Sequence, residues 1–590
     1  MSEAEGNGSS SQRHKELDKT SGKWSTPETF TVIRADEATA TSRRKFFYTQ
    51  KIEEIKLENG IPVGQIVELP FTTQPGDGQV SAAFTLDINP EDYDVITAGP
   101  HMWSQSTSVK TSRFLNKLLP LPTNPIIGRR PYKNSLEDPR YRYYEPGSDV
   151  DQKSSAKEGR SYGFVAFRHK QTGENLMLGI IPYLDTFERI SYGAKNGKFV
   201  VSVEKDFEGI TTPRESAFKV FLGSVHSEKG KSNYADLLEA YAQGLAKIKG
   251  DTPLLENSVI GFSWPAYGHG INQKIISEEI KTSRGIVDTY IIDAGWAGGA
   301  NPENVYQVDT KKFPDLPGLA QEMREAGIKP GIWVAPFALY KLNKTPESLT
   351  PLRDRNGRPA KSPFPIRETY RLPGTLVSPI FGKNPGALDI SVPEVREHIS
   401  QQFVTLTSMG FEVFKLDFLS HAFAAKMERN DKTSIEYYRQ TIQEIREAVR
   451  QRLGKEIILI GCGGPWLESL GLFNGSRMTP DSANPPLPLR KVTAKINEGV
   501  NTLLYRSATA VAARRTLPFG QSFGMIFDGI HIDPNVPLGG KRKADFNKSI
   551  LALKELGISN MFVGDSLINI PANVRQEWEE FVQSFKTSNR

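Results

Sequence analysis

Hydrophobic and polar residues alternate over short runs through roughly the first 245 residues of the chain. Typical runs are TFTVIRA, YGFVAFRH, KFVVSVEKDF and FKVFLGSV, and Gly, Pro, Asn and Asp separate them. Because successive side chains of a strand point to opposite faces, this period of two predicts strands with one buried face. Many short strands bounded by turn residues are typical of an antiparallel β-sandwich.

After residue 250 the pattern changes to a strand, a loop and then a helix. The predicted strands lie at 258–264, 287–296, 328–337, 411–418, 456–464, 475–483, 524–532 and 560–566. Apolar residues at steps of three and four between several of them, as in SIEYYRQTIQEIREAVRQRLG, predict amphipathic helices. Eight such units predict a (β/α)8 barrel that follows the N-terminal antiparallel β-sandwich.

These patterns divide the chain into four parts. Residues 1–24 are rich in Ser, Gly and charge and are expected to be a disordered tail. Residues 25–232 form the β domain, and 233–250, with Leu and Tyr at helical spacing, form a linker helix. Residues 251–590 form the barrel.

Composition and charge narrow the function. Hydrophobic residues make up 38% and charged residues 24% of the 590, as in a globular enzyme or binding protein. The net charge of +6 includes no long basic run, so a nucleic-acid partner is not expected. The single cysteine, Cys462, excludes an intramolecular disulfide and a cysteine-based zinc site and fits a reducing compartment. No run approaches ~20 apolar residues, so no membrane segment is expected. We predict a cytoplasmic protein, and the sequence leaves its oligomeric state undecided.

The stretch GFEVFKLDFLSH, residues 410–421, places two charges inside an apolar strand. Lys415 and Asp417 are two residues apart and therefore point to the same face of that strand. An ammonium beside a carboxylate favours the ionised acid, which suits a carboxylate nucleophile. The alternative is a structural ion pair at the end of a strand.

Polar and aromatic residues concentrate at the ends of the predicted barrel strands, where the active sites of such barrels lie. In chain order they are Asp293, Trp296, Trp333, Lys415, Asp417, Cys462, Arg477 and Asp481. Any one of them alone is explained as well by a loop cap or a satisfied core polar group. Their coincidence at successive strand ends predicts a functional site, in which Trp296 is a candidate sugar-binding residue.

Two carboxylates that face one cavity are what glycosidic cleavage needs. Asp417 is the candidate nucleophile, and Asp481, in TPDSANPP without an adjacent cation, is the candidate general acid. Attack by Asp417 would require the two carboxyl groups to lie about 5–5.5 Å apart. Taken alone, Asp481 also reads as an ordinary turn aspartate before Ser and Pro.

The motifs FKLDF, GCGGPWLESLGLFNGSRMTPDSA, IIDAGW and GIWVAPF together resemble the α-galactosidases of glycoside hydrolase family 36, over roughly residues 255–535. The resemblance implies an N-terminal β-supersandwich, retention of the anomeric configuration and no metal or other cofactor. It matches Asp417 to the nucleophile of the family and Asp481 to its acid/base.

The resemblance also implies a sugar-binding role for residues around the nucleophile. Lys415 matches a lysine that hydrogen-bonds sugar hydroxyls, and Trp333 matches an aromatic wall of the −1 subsite. Cys462 and Arg477 match positions around the 2-hydroxyl group. Asp293 matches the first of two adjacent acids that hold the 4- and 6-hydroxyl groups.

The chain departs from the family pattern at three places. The second of the paired acids is replaced by Ala294, which leaves the identity of the −1 sugar open. The first strand is less rich in Trp and Cys than in the family, and it leaves Trp264, Tyr267 and His269 as candidates at the pocket edge, with a solvated loop residue as the alternative for His269. The C-terminal β-domain common in the family has no expected counterpart.

We therefore expect a retaining α-glycosidase, most simply an α-galactosidase, that acts on a terminal α-linked sugar of an oligosaccharide or glycoside. One alternative is a related exo-α-glycosidase or transglycosylase with a different −1 sugar. A carbohydrate-binding pseudoenzyme is another alternative, and it predicts the loss of Asp417 or Asp481, both of which are present. The linkage and the aglycone stay open.

Overall fold

The structure is a computed structural model, and it describes most of the chain. The described residues are 30–33, 53–56, 62–98, 107–108, 158–225, 234–297, 307–339, 350–351, 353, 386–423, 427–477, 523–530, 560–564, 566–568 and 570–588. Within them the N-terminal part is built of antiparallel sheets and the C-terminal part of a parallel barrel, as the sequence predicts.

The N-terminal part contains two antiparallel sheets. In spatial order the five-stranded sheet consists of β1 (Phe30–Ile33), β4 (Gln79–Leu86), β11 (Lys198–Asp206), β10 (Phe187–Lys195) and β7 (Glu158–Ser161). The seven-stranded sheet consists of β2 (Glu53–Lys56), β3 (Pro62–Thr72), β12 (Glu215–Val225), β9 (Asn175–Ile180), β8 (Phe164–His169), β5 (Tyr93–Thr97) and β6 (Thr107–Ser108).

Aromatic side chains join the two sheets. The ring of Phe167 on β8 lies 4.7 Å from that of Phe199 on β11 and 6.5 Å from that of Tyr192 on β10. The buried positions of β4 alternate with its more exposed ones, so that Phe84 and Leu86 are wholly buried. The predicted alternation is therefore present, and its apolar residues form a shared core.

The helix predicted within 233–250 spans Tyr234–Ala246. Its apolar stripe, including Leu237 and Tyr241, is wholly buried. Tyr241 packs so closely on Gly179 of β9 that a Cβ atom there would lie 2.6 Å from its ring. The helix therefore covers the seven-stranded sheet, and only glycine fits at the contact.

Eight parallel strands of the described residues close into a barrel. They are β13 (Ser258–Phe262), β14 (Thr289–Ile292), β15 (Lys329–Val334), β18 (Val413–Leu416), β19 (Ile458–Gly461), β20 (Gly475–Arg477), β21 (Met525–Ile530) and β22 (Asn560–Val563). Each lies within one of the eight predicted strands. A two-stranded sheet of β16 (Ala338–Leu339) and β17 (Gly386–Ala387) follows β15.

Helices lie between several barrel strands and after the last one. They span Gln273–Ser283, Leu316–Glu325, Pro393–Ser408, Ser434–Leu453 and Ala572–Ser588, with a short helix at Trp264–Tyr267 and 3₁₀ turns at Pro90–Asp92, Gly268–Gly270 and Leu419–Phe423. Thr433 and Glu436 form a capping box that starts the longest of them. None of the described helices is long and apolar enough to cross a bilayer.

The N-terminal sheets hold two loops at the C-terminal end of the barrel. The ring of Phe187 on β10 lies 4.9 Å from that of Phe423, in the 3₁₀ turn after β18. The backbone N–H of Glu188 donates to Oε1 of Glu468, in the loop after β19, at 3.4 Å. The loops that follow the fourth and fifth barrel strands are therefore supported from outside the barrel.

Candidate active site

The C-terminal ends of five neighbouring barrel strands bring the predicted residues together. Parallel pairing sets Trp333 of β15 beside Lys415 of β18. Asp293 follows β14 directly, Cys462 follows β19, and Arg477 ends β20. Residues of distant sequence thus meet at one end of the barrel because their strands run in the same direction.

Lys415 forms a buried ion pair, and its partner is Asp293. Nζ of Lys415 lies 2.8 Å from Oδ2 of Asp293, and each side chain is only 3% exposed. The ammonium also lies 4.9 Å from the ring centroid of Phe262 and 5.9 Å from that of Phe562. Asp417 is close enough to Lys415 to influence its charge, but the ion pair, which the sequence offered as the alternative for Lys415 and Asp417, forms between Lys415 and Asp293.

The electrostatics of this pair favour a charged lysine. Burial works against the ammonium, but the carboxylate of Asp293, with smaller contributions from Cys462 and Asp417, raises the pKa of Lys415 above its ordinary value. Burial raises the pKa of Asp293, and the Lys415 ammonium opposes that shift. Oδ1 of Asp293 accepts from the Ala294 N–H at 2.7 Å, which fixes the orientation of the carboxylate.

Both oxygens of Asp417 are held by protein donors while its side chain is only half-buried. The backbone N–H of Phe418 donates to Oδ1 at 2.8 Å, and Nε1 of Trp333 donates to Oδ2 at 3.2 Å. Phe418 has φ +53°, a left-handed conformation that bulky residues rarely adopt and that is concentrated at functional sites. Asp417 is therefore an oriented carboxylate at an accessible strand end, which can act as a nucleophile.

Trp296 lies behind this site. It is wholly buried, and its indole N–H donates to the backbone carbonyl of Trp333 at 2.9 Å. The structure thus places this predicted sugar-binding residue against the backbone of Trp333.

Cys462 and Arg477 are both buried at the same end of the barrel. Cys462 shares an apolar cluster with Trp333 and Ala294, and the charge of Arg477 is close enough to oppose that of Lys415. The predicted acid, Asp481, lies outside the described residues.

The loop after β13 carries the three candidates for the pocket edge. The half-buried ring of Trp264 meets that of His269 edge to face at 5.0 Å. Burial, and then the charge of Lys312, lowers the pKa of His269 to about 4, so this histidine is neutral at pH 7. The hydroxyl of Tyr267 lies within hydrogen-bond distance of Glu279 and Ser566, which ties the first loop to the last. Tyr267 therefore has a structural role in connecting these two loops.

Sequence reasoning missed Phe262, Phe562 and Ser263. The two phenylalanine rings face the Lys415 ammonium, and Ser263 Oγ accepts from the Asp293 N–H at 3.0 Å. The alternation of the first and last strands could have marked the rings as inward-facing. Within the described residues, no group of three or more His, Cys, Asp or Glu side chains is arranged to hold a metal ion.

Comparison with known proteins identifies the fold. No protein-family profile matches the sequence. The α-galactosidase TtGalA from Thermus thermophilus, solved with p-nitrophenyl α-D-galactopyranoside, superimposes with a TM-score of 0.57 at 18% identity, covering 91% of this chain and 94% of that one. The GH36 α-galactosidase AgaA from Geobacillus stearothermophilus gives 0.57 at 15% identity, covering 95% and 76%. The galactosidase domain of the α-galactosidase-sucrose kinase AgaSK gives 0.52 at 13% identity, covering 95% and 72%. The fold that the motifs led us to expect is thus confirmed: the chain has the fold of the GH36 α-galactosidases.

Proposed function

We propose that the protein is a retaining α-glycosidase, most simply an α-galactosidase, that hydrolyses a terminal α-linked sugar. The observation that carries this proposal is Asp417, a half-buried carboxylate with both oxygens held by donors, beside the buried Lys415–Asp293 pair. The fold shared with α-galactosidases, one of them solved with an aryl galactoside and with stachyose, supports the same reaction class.

In the proposed mechanism an oxygen of Asp417 attacks the anomeric carbon as the bond from that carbon to the aglycone oxygen breaks. Asp481 supplies the proton to the leaving oxygen. In the second half Asp481 takes a proton from water, whose oxygen attacks the anomeric carbon and releases Asp417. The configuration is inverted twice and therefore retained.

The other residues hold the sugar. Lys415 and Asp293 grip hydroxyl groups, and the ring of Trp333 forms a wall of the −1 subsite while its N–H holds Asp417. Cys462 and Arg477 lie near the 2-hydroxyl group. Trp264 lies at the pocket edge, and this proposal assigns Trp296 to the support of Trp333 in place of sugar contact.

We propose the same domain organisation that the sequence predicts. The aromatic contacts between the two antiparallel sheets support a sandwich over 25–232, followed by the linker helix at 233–250. The alternation of described strands and helices supports a complete (β/α)8 barrel over 251–590.

The nucleophile is tested by Asp417→Ala, with aryl α-glycosides of several sugars as substrates. We expect turnover to fall by at least about 10³-fold while the fold is kept, and azide or formate to restore part of it. The matched control is Asp288→Ala, at the opposite end of β14, where the carboxylate bonds to the Val259 N–H and Lys586. That control should lower stability and leave kcat unchanged. Near-normal turnover by Asp417→Ala would place the nucleophile elsewhere.

The acid is tested by Asp481→Ala. Substrates with poor leaving groups need protonation and should lose much more activity than those with good leaving groups. Equal losses for both classes would contradict the assignment. If the unmodified protein binds glycosides but cleaves none of the panel, the carbohydrate-binding alternative replaces this proposal. Transfer of the sugar to an added acceptor in preference to water would identify a transglycosylase.

A further inference from the structure

We propose that Trp296 is a positioning residue that sets the orientation of Asp417 through Trp333. The inference rests on the proposed function, since it concerns the carboxylate assigned there as nucleophile. In place of the predicted sugar-binding role, it assigns to Trp296 a hydrogen bond that supports the backbone behind the site.

The carbonyl of Trp333 lacks its ordinary partner in the barrel. Successive residues of a strand direct their backbone groups to opposite neighbouring strands. The Val334 carbonyl accepts from the Asp417 N–H at 2.8 Å, on the β18 side, so the Trp333 carbonyl points to the β14 side. The pairing of β14 with β15 makes the Ala294 N–H the expected donor.

That donor is used elsewhere, and Trp296 takes its place. The Ala294 N–H donates to Oδ1 of Asp293 at 2.7 Å, and the indole N–H of Trp296 reaches the Trp333 carbonyl at 2.9 Å. A buried carbonyl without a partner would be costly, so the indole repairs the break in the ladder at the place where β14 ends.

The repaired strand end carries the contact that orients the nucleophile. Nε1 of Trp333 donates to Asp417 Oδ2 at 3.2 Å, the long end of the range for such bonds, so a small displacement of Trp333 would break it. The turn 293–296 thus supports Lys415 of β18 through Asp293, and it supports Asp417, directly after β18, through Trp296 and Trp333.

Burial favours this role over contact with a sugar. Trp296 is 0% exposed, and its backbone carbonyl accepts from the Asp309 N–H at 2.9 Å, which holds the residue from its other side. Gly295, at φ +119°, lies against His269, where a Cβ would come within 3.0 Å of its Cα. The chain therefore turns tightly enough to bring the indole under β15.

The test is Trp296→Phe, which keeps a large ring and removes the N–H. We expect kcat to fall roughly five- to twentyfold with KM changed less than about twofold, because the effect reaches Asp417 and not the sugar. In a Trp333→Phe background, where the bond to Asp417 is already absent, Trp296→Phe should lower kcat little further. If the phenylalanine variant does not fold, Trp296→Tyr, which also lacks the indole N–H, should show the same changes in kcat and KM.

The control is Trp578→Phe, at a tryptophan that is equally buried in the helix Ala572–Ser588. It should alter stability without altering kcat. Additive losses of kcat in the double variant, or a KM effect as large as the kcat effect, would overturn the inference. If the unmodified protein cleaves no α-glycoside, the proposed function fails and the positioning role fails with it; an active enzyme whose Trp296→Phe variant keeps full kcat overturns the inference alone.

Discussion

Two lysines are buried in the described part of this molecule, one in each half, and their surroundings differ. Lys205 of β11 is 0% exposed, and its ammonium reaches Oδ1 of Asp185 at 2.9 Å, Oγ of Ser216 at 3.0 Å and Oε1 of Glu188 at 3.3 Å. Lys415 of β18 has one oxygen acceptor in the described part of the chain, Asp293, and two aromatic faces.

An ammonium has three N–H donors, and the two sites use them differently. At Lys205 all three can find an oxygen, as expected of a structural network. At Lys415 the carboxylate of Asp293 keeps the lysine charged, and the proposed function uses the other donors of the ammonium for sugar hydroxyls. Buried charge alone therefore does not identify a functional lysine, and the number of oxygen acceptors among the described residues is what separates these two.

Replacing the structural lysine should have the largest effect on stability. Lys205→Met leaves Asp185 and Glu188 buried without their cation, and we expect the free energy of unfolding to fall by about 3–5 kcal/mol. Urea denaturation followed by circular dichroism measures the loss. The kcat/KM of the folded fraction should stay within about twofold of the unmodified enzyme. An unchanged unfolding free energy would remove the structural half of the comparison.

Replacing the site lysine should act mainly on catalysis. Lys415→Met removes the charge-assisted hydrogen bonds proposed to hold the sugar, so kcat/KM should fall roughly 10²-fold. The stability cost should be smaller than for Lys205→Met, because Asp293, whose pKa burial already raises, can accept a proton once the ammonium is gone. Full activity together with an equal loss of stability would make both lysines structural.

The surroundings of Lys205 should also make stability depend on pH. Burial raises the pKa of Glu188 to about 7 and that of Glu468 to about 8, from 4.5. Between pH 5 and 8 the folded protein therefore holds protons that the unfolded chain has released, and stability falls as pH rises, by up to about 1.4 kcal/mol per pH unit for each group.

Glu468→Gln isolates one of these groups. The amide oxygen can still accept from the Glu188 N–H, but it takes up no proton, so melting temperatures between pH 5.5 and 8.5 should fall less steeply than in the unmodified protein. Glu208, whose pKa burial also raises to about 7, contributes equally to both proteins. An identical slope in the variant would show that Glu468 is already ionised at pH 5.5.

The smallest expected effect concerns the sugar that Lys415 and Asp293 are proposed to hold. Ala294 is buried in the apolar cluster beside Trp333, where the family pattern has a second acid. We expect weak activity on simple α-galactosides and a shift toward galactose in Ala294→Asp, about fivefold in relative kcat/KM. Ala294→Asn separates the size of the side chain from its charge. Efficient cleavage of the galactoside by the unmodified enzyme, unchanged in Ala294→Asp, would refute this specificity while leaving the mechanism in place.

Much of the fold could be predicted because its signals are local. All eight barrel strands lie where apolar runs between turn residues predict them. The linker helix lies within its predicted range. The strand-end position of Asp293, Lys415 and Cys462 follows from the same pattern, since parallel strands all end on one side of a barrel. The position of these three residues at one end of the barrel was therefore predictable.

The contacts within that set were not predictable in the same way. Spacing of two along the predicted strand 411–418 indicates that Lys415 and Asp417 share a face, but the ion pair of Lys415 forms with Asp293, 122 residues away in the chain. The choice depends on how β14 and β18 lie around the barrel and on how deeply each side chain is buried. No local pattern carries that information.

By itself the sequence determined the strands, the helices and the side of the barrel on which the polar residues collect, because hydrophobic period and turn chemistry act over a few residues. Only the tertiary structure decided which groups pair there. In it Lys415 bonds to Asp293, Trp333 bonds to Asp417, and the indole of Trp296 bonds to the Trp333 carbonyl. A hydrogen bond requires its two atoms to lie within about 3 Å of one another, and the register of the strands around the barrel decides which atoms come that close.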